Sequence, residues 1–452
     1  MTGQASANTV SKTWTKPLIQ PEAVPARADV VIIGGGIVGV STAWFLARQG
    51  VDVVLCEKGH IAGEQSGRNW GWVRVQGRDE REIPMMLESL QIWEGLADEI
   101  GEDVGFTREG CFFTANSRKE LESFGAWVGT AKDYGIDTRL IDATELKKYV
   151  RGAAVDWAGA MMTSSDGRAE PHKAAPAIAR AAERNGATIL PGCAVRGIET
   201  AGGAVSAVVT EHGTIATSTV LCAAGAWTSM FCRSLGVDVP QLRVRGTVAR
   251  TAPGENVLDG NIFDDRLGIR RREDGGYTIA HGSVLEHPVT PASFRYFGKF
   301  RRALLQELKI VRLSFGREFI DEWNTPKVWA LDEPTPFEKT RVLNPSPTPA
   351  VLKGIRRNLD SMFPQLANTP IVESWAGMIE SSPDVVPMID SIDSIAGFHI
   401  ATGFSGHGFG IGPGAGKAVA GMLTGDDSGI DLTEFRLSRF FDGSPIQPQS
   451  SI

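Results

Sequence analysis

The residues best placed to do chemistry in this chain are Gly34, Gly36 and Gly39, spaced G-x-G-x-x-G, with Glu57 ending the next apolar run. Gly34 permits a tight turn, Gly36 lets backbone approach a pyrophosphate, and Gly39 lets a helix pack closely on a strand. The N–H groups at the start of that helix, with the positive end of its dipole, suit phosphate oxygens. Glu57 would accept hydrogen bonds from ribose hydroxyls. Residues of these types in this order predict a dinucleotide site; the alternative is an ordinary glycine-rich strand–helix turn.

The elements that must position these residues follow from periodicity. The run Val30–Ile33 reads as a strand, Val40–Gln49 as a helix and Val51–Cys56 as a second strand. Residues 81–99 have a helical apolar face of Ile83, Met86, Leu90 and Trp93, and 117–134 and 172–185 are further helical stretches. Between 187 and 224 the pattern turns β, at Ala187–Leu190, Ala204–Thr210 and Thr214–Leu221. Leu242–Thr251 and Tyr277–Ala280 follow as strands, with a charged helix near 292–312 and a strand at Ile371–Trp375. The strand Phe398–Thr402 runs into Gly403–Gly410 and a last helix, 412–424. This order predicts an α/β fold, an interrupted Rossmann-like domain built from 28–80, 155–238 and 370–440. A second, antiparallel-sheet-rich α+β domain would come from 81–154 and 239–369. Residues 1–27 lack a basic-then-apolar leader pattern and read as a flexible extension.

A length of 452 residues suits two joined domains. The net charge of −7 argues against a nucleic-acid or anionic-membrane surface. No apolar stretch approaches the length of a membrane span. The five cysteines are scattered, with no C-x-x-C pair, so neither zinc nor a disulfide framework is indicated. That pattern suits a reducing, cytoplasmic compartment.

Four motifs together resemble the FAD-dependent amine and amino-acid oxidoreductases of the D-amino-acid oxidase superfamily, glycine and sarcosine oxidases among them. They are Gly34–Gly39 with Glu57, Ser66-Gly-Arg-Asn69, Ala223-Ala-Gly-Ala-Trp227 and Gly403-Phe-Ser-Gly-His-Gly-Phe409. The resemblance implies FAD, with its adenosine half at Gly34, Gly36, Ile37, Val38, Gly39, Glu57 and Lys58. It implies that Ser66, Gly67, Arg68, Asn69, Trp70 and Gly71 line the pyrophosphate and the approach to the flavin. Val195 resembles the position that contacts adenine, and Ala224, Gly225 and Trp227 resemble the ribityl neighbourhood. Gly403, Ser405, Gly406, His407, Gly408 and Phe409 would bring backbone N–H groups and a helix start to the flavin ring, where negative charge develops on reduction. His407 would add a donor there, or merely cap the loop.

The chain departs from these relatives at informative places. Sarcosine oxidases bond flavin through a cysteine six residues before the proline that corresponds to Pro383; Gly377 stands there, and no histidine stands immediately before Ser66, so attachment is expected to be non-covalent. Ile379 occupies the place of the glycine oxidases' carboxylate-clamping arginine, and Gly410 that of the sarcosine oxidases' lysine. A bidentate arginine is a strong carboxylate anchor, so another cation is needed if the substrate carries a carboxylate. Arg74 is the first candidate, its alternative being a structural partner of Glu80 or Glu82; Arg270, in the Arg270–Arg272 cluster, is the second. Trp70 and Trp72 would wall an amine or serve only as core. Tyr277 and His281 are further candidate polar groups, and Thr278 stands near the position of the family's oxygen-activating lysine.

The expected reaction is therefore oxidation of a C–N bond of an amine or amino acid. The resemblance implies hydride transfer to flavin N5 and hydrolysis of the imine, with O2 or another electron acceptor. Alternatives are a catalytically silent flavoprotein subunit, or an NAD(P)-dependent oxidoreductase using the same glycine fingerprint.

Overall fold

In a computed structural model the structure describes residues 24–307 and 310–448. Fully buried runs of Val, Ile and Leu form the centre of a six-stranded sheet, as expected for strands covered on both faces. Its order is Met388–Ser391, Phe398–Thr402, Thr219–Cys222, Val30–Ile33, Val53–Glu57 and Thr188–Pro191. All neighbours are parallel except the Met388–Ser391 edge strand. The helices Ile37–Arg48, Ile83–Ile100, Pro171–Arg184 and Gly408–Thr424 cover one face. A three-stranded antiparallel meander, Val195–Ala201, Ala204–Thr210 and Gly213–Ala216, contributes to the apolar cluster on the other.

The last helix is rich in glycine because three neighbours press against it. A Cβ at Gly414 would lie 2.4 Å from the Met85 carbonyl oxygen, and one at Gly416 2.4 Å from Ser41 Cβ. At Gly412 the obstacle is Ile37. Close helix contact brings both cavity-facing helix starts, at Ile37 and Gly408, onto one side of the parallel sheet.

A ten-stranded, mostly antiparallel sheet forms the second layer, running from Val311–Ser314 through Leu242–Thr251 and Leu267–Arg271 to Thr138–Asp142. Two strands assigned by sequence to the first domain lie here instead. Gly159–Thr163 pairs with Cys111–Ala115 and Thr138–Asp142, and Ile371–Ser381 pairs along nearly all of Leu242–Thr251. An apolar run reports that a strand is buried, not which sheet receives it, so the boundaries at 155 and 370 shift. Likewise Thr214–Leu221 divides into Gly213–Ala216 and Thr219–Cys222, and 292–312 divides into Pro291–Arg295 and Phe297–Gln306 before a strand at Val311–Ser314.

Of the expected flexible extension, residues 1–23 lie outside the described residues. Residues 24–27 are in place: Arg27 bridges to Ala216, and Val24 packs on the core. No helix among the described residues is long and apolar enough to cross a membrane.

Candidate active site

One continuous cavity runs from the first glycine turn to the start of the last helix, and this elongated reach between two helix starts suits a dinucleotide. At one end Gly34, with φ of +113°, turns the chain where a Cβ would stand 2.5 Å from the Ala223 carbonyl oxygen. Gly39 instead permits close helix packing, since a Cβ there would meet the Gly34 carbonyl oxygen at 2.1 Å. Gly36 caps the Ile37–Arg48 helix without any side-chain hydrogen bond, and the Ser66 hydroxyl accepts from the Ile37 N–H at 2.8 Å. The Glu57 carboxylate accepts from the N–H groups of Gly35 (2.8 Å) and Gly59 (2.7 Å).

Fifteen of the residues singled out by sequence line this cavity: Gly34, Gly36, Ile37, Val38, Glu57, Lys58, Ser66, Asn69, Val195, Ala224, Gly225, Trp227, Gly406, Gly408 and Phe409. Gly39, Gly67, Arg68, Trp70, Gly71, Gly403, Ser405 and His407 are not brought to its wall. Arg68 is turned away: its guanidinium donates to the Gly63 and Ala376 carbonyls and to Asn344 Oδ1. Asn69 donates to the Gln65 and Ser66 carbonyls and accepts from the Gly71 N–H, which fixes the loop. Lys58 lies 4.2 Å from the centre of the Trp227 ring and donates to the carbonyls of Thr340 and Arg341, tying down a distant strap.

That strap adds Phe337 and Val342 to the wall, which no local motif could have announced. Glu380 is a second omission. It follows Ile379 on an extended strand, so the two side chains point to opposite faces, and Glu380 is the one that lines the cavity. Burial pushes its carboxyl up to about 7. Its folded pKa lies above its ordinary 4.5, so ionising it opposes folding as pH rises through that interval. In the cofactor-free protein, Glu380→Gln is expected to melt several degrees above the parent at pH 8, with the gap closing toward pH 4. A gap independent of pH would contradict this.

At the far end, residues 403–410 form a loop with φ of +74° at Gly403, +51° at Ser405 and +86° at Gly406. The helix Gly408–Thr424 starts within its last residues, with no side-chain cap. The third residue of that helix, Gly410, sits against the Trp72–Arg74 segment: a Cβ there would lie 3.1 Å from the Trp72 carbonyl oxygen. Neither helix start has a capping side chain at its N-cap residue, and although the Ile37 N–H is taken by Ser66, both helices turn the positive ends of their dipoles toward the cavity, suited to phosphate and to an anionic cofactor ring. The residues therefore fit FAD.

Arg74 and Trp72 are not among the residues that line the cavity; their segment runs behind it, against Gly410. A two-stranded pairing of Trp72–Val73 with Gly167–Arg168 sets the segment. The Asp166 carboxylate then accepts from the N–H groups of Val75 (2.6 Å) and Gln76 (3.2 Å). The Arg74 guanidinium packs over the Phe113 ring at 5.2 Å and donates to the Gln76 carbonyl. Among the described residues it forms no ion pair with a carboxylate. Glu82 instead pairs with Arg78 at 3.1 Å and lies 3.4 Å from His407 Nδ1, while Glu80 accepts from Thr130. Burial alone would raise Glu82, but His407 and Arg78 bring it down to about 2. Trp72 is half-buried, edge-on to Trp70 at 5.2 Å and to Phe263 at 6.5 Å.

Arg270 does not face the cavity. Its side chain is 1% exposed and grips Glu170 through two bonds, 2.9 and 3.1 Å. Its Nε donates to the Trp70 carbonyl. The strand alternation that could have turned Arg270 to a ligand turned it to a buried acid. Tyr277 is likewise a core residue, its hydroxyl donating to the Glu255 carbonyl at 2.5 Å. His281 accepts from the Ser283 N–H within its own turn.

Comparison with known proteins agrees with this geometry. The family model described as DAO, FAD dependent oxidoreductase, matches residues 29–422. An L-amino acid deaminase from Proteus myxofaciens, solved in complex with anthranilate, superposes with a TM-score of 0.89 and 33% identity over 92% of this chain and 94% of that one. The beta subunit of sarcosine oxidase from Rhodobacter capsulatus is 23% identical over 96% of this chain and 93% of its own. Mitochondrial sarcosine dehydrogenase from Mus musculus is 25% identical over 92% of this chain, which spans only 42% of that protein.

Proposed function

Since the chain belongs to the DAO family of FAD-dependent oxidoreductases, we propose that it oxidises the C–N bond of an amino acid or N-substituted amino acid to an imine, which water then hydrolyses. The observation that carries this reading is Arg74, a cation whose backbone passes against Gly410 near the start of the last helix, with no carboxylate ion pair among the described residues. Its planar fork suits a substrate carboxylate. Trp72 and the Phe113 and Phe263 rings beside it offer an apolar wall, which lowers the proton affinity of a bound amine and favours its neutral, reactive form. Bound FAD supplies the two-electron acceptor. The Gly408 helix start stabilises negative charge at that end of the cavity, while Gly34, Gly36 and Ile37 hold the pyrophosphate. With Gly377 and Gln65 at the two familiar attachment positions, we assign non-covalent binding.

We also assign the six-stranded side of the molecule to the cofactor and the ten-stranded side to the substrate. Thr278, buried in the large sheet where the family's oxygen-activating lysine would stand, supports an acceptor other than O2. Five free, buried thiols support a reducing, cytoplasmic setting.

The test is an oxygen-free screen of the purified flavoprotein against amines and amino acids, followed by visible absorbance. Bleaching by at least one carboxylate-bearing amine is expected. A flavin that dithionite bleaches but no panel member does would overturn the proposal and favour a silent subunit.

A further inference from the structure

The strap that adds Phe337 and Val342 to the cavity wall enters no sheet. Residues 325–348 connect the helices Arg317–Asn324 and Pro349–Met362 and carry one four-residue helix, Pro336–Lys339. That short helix has a capping box at Thr335 and Glu338. Phe337 is buried, edge-on to Trp227 at 5.9 Å and to Trp329 at 5.3 Å.

What holds this strap in place is a set of polar fastenings, and all of them end on the cofactor side. Arg196 grips Glu338 through two bonds, 2.9 and 3.0 Å. Arg341 grips Glu211 through two more. Lys58 donates to the Thr340 and Arg341 carbonyls at 2.9 Å each, and the Leu343 N–H donates to Glu64 at 3.0 Å. The fit is close: a Cβ at Gly59 would stand 2.5 Å from the Arg341 carbonyl oxygen.

The anchor points bracket one end of the cavity. Lys58 and Glu64 follow Glu57, and Arg196 follows Val195. The Cys193 N–H donates to the Glu57 carbonyl at 2.9 Å, so the chain leading to Val195 runs beside Glu57. Glu211 accepts from the Ala194 N–H at 2.7 Å and holds that same chain. A segment without sheet pairing opens at lower cost than the strands beneath it. Its two bidentate pairs are partly in water, the Arg341 side chain being 40% exposed, so salt weakens them. We propose that residues 335–343 form a latch over the Glu57 end of the cavity, and that the Arg196–Glu338 and Arg341–Glu211 pairs set how fast FAD leaves. The latch rests on the assignment of non-covalent FAD to this cavity.

The experiment begins with acid precipitation of the purified flavoprotein, which should leave the flavin in solution. Release is then timed after dilution, as flavin that passes an ultrafiltration membrane retaining the protein. The double variant Glu211→Gln, Glu338→Gln should release FAD about tenfold faster at low salt. Glutamine keeps an oxygen for the Ala194 and Thr335 N–H groups, so the ion pairs alone are lost. The milder Arg341→Lys should fall between parent and double variant. High salt should speed the parent and narrow the gap. Asp259→Asn breaks an exposed pair with Arg151 on the large sheet's side and should leave release unchanged. Flavin precipitating with the chain would overturn the non-covalent assignment and the latch with it. Free flavin with release unchanged in the double variant, or equally fast in Asp259→Asn, would overturn the latch alone.

Discussion

Replacing Arg74 by alanine is expected to lower kcat/KM for a carboxylate-bearing substrate by about 3 kcal/mol, roughly a hundredfold or more. Loss of a buried cation leaves the substrate carboxylate desolvated and unpaired, and that penalty is larger than the net worth of an exposed ion pair. Arg74→Lys should recover part of the loss, because it restores charge without the two-pronged geometry. The matched amine lacking a carboxylate should change about threefold at most, since it never used the contact. Bound FAD per chain should stay constant throughout. Equal losses for both substrates would show that Arg74 acts on the fold or the cofactor rather than on the carboxylate.

The second large effect concerns Glu170. Its carboxylate is the buried partner of Arg270 and lies 3.7 Å from Arg272. Glu170→Gln keeps the volume but strands a buried guanidinium, and should destabilise the protein by about 3–5 kcal/mol in urea unfolding. Burial alone would raise Glu170, but Arg270, helped by Arg272, brings it down to about 2. The sign follows. A carboxyl depressed from its ordinary 4.5 contributes stability that is fully present above that pH and is lost as pH falls toward 2. The gap between parent and variant should therefore be widest above about pH 5 and close in acid. Adding Arg270→Met to Glu170→Gln should recover much of the loss, because an apolar pair is often as stable as a buried ionic one. A gap unchanged between pH 6 and pH 3 would refute the linkage.

These two arginines show where sequence was legible and where it stopped. The Gly34–Glu57 fingerprint is local, because its turn, helix start and acid all lie within one strand–helix–strand unit. Its position in the cavity follows from chain order alone. The opposite end of the cavity is assembled from segments hundreds of residues apart, and there spacing carries little. Arg74 and Arg270 look alike in sequence; what separates them is Glu170, 100 residues away and bonded to Arg270, whereas among the described residues no carboxylate bonds the Arg74 guanidinium. A Cβ at Gly410 would lie 3.1 Å from the Trp72 carbonyl oxygen, so the segment that carries Arg74 leaves little room there for a side chain.

The central claim is that electrons leave a substrate C–N bond and enter the bound cofactor. The most direct measurement is a single anaerobic turnover with the best amine from the screen, counting carbonyl product against flavin bleached. Equimolar amounts are expected, with the nitrogen released as ammonia or an amine. Bleaching without C–N cleavage, or carbonyl formed while the flavin stays oxidised, would contradict it.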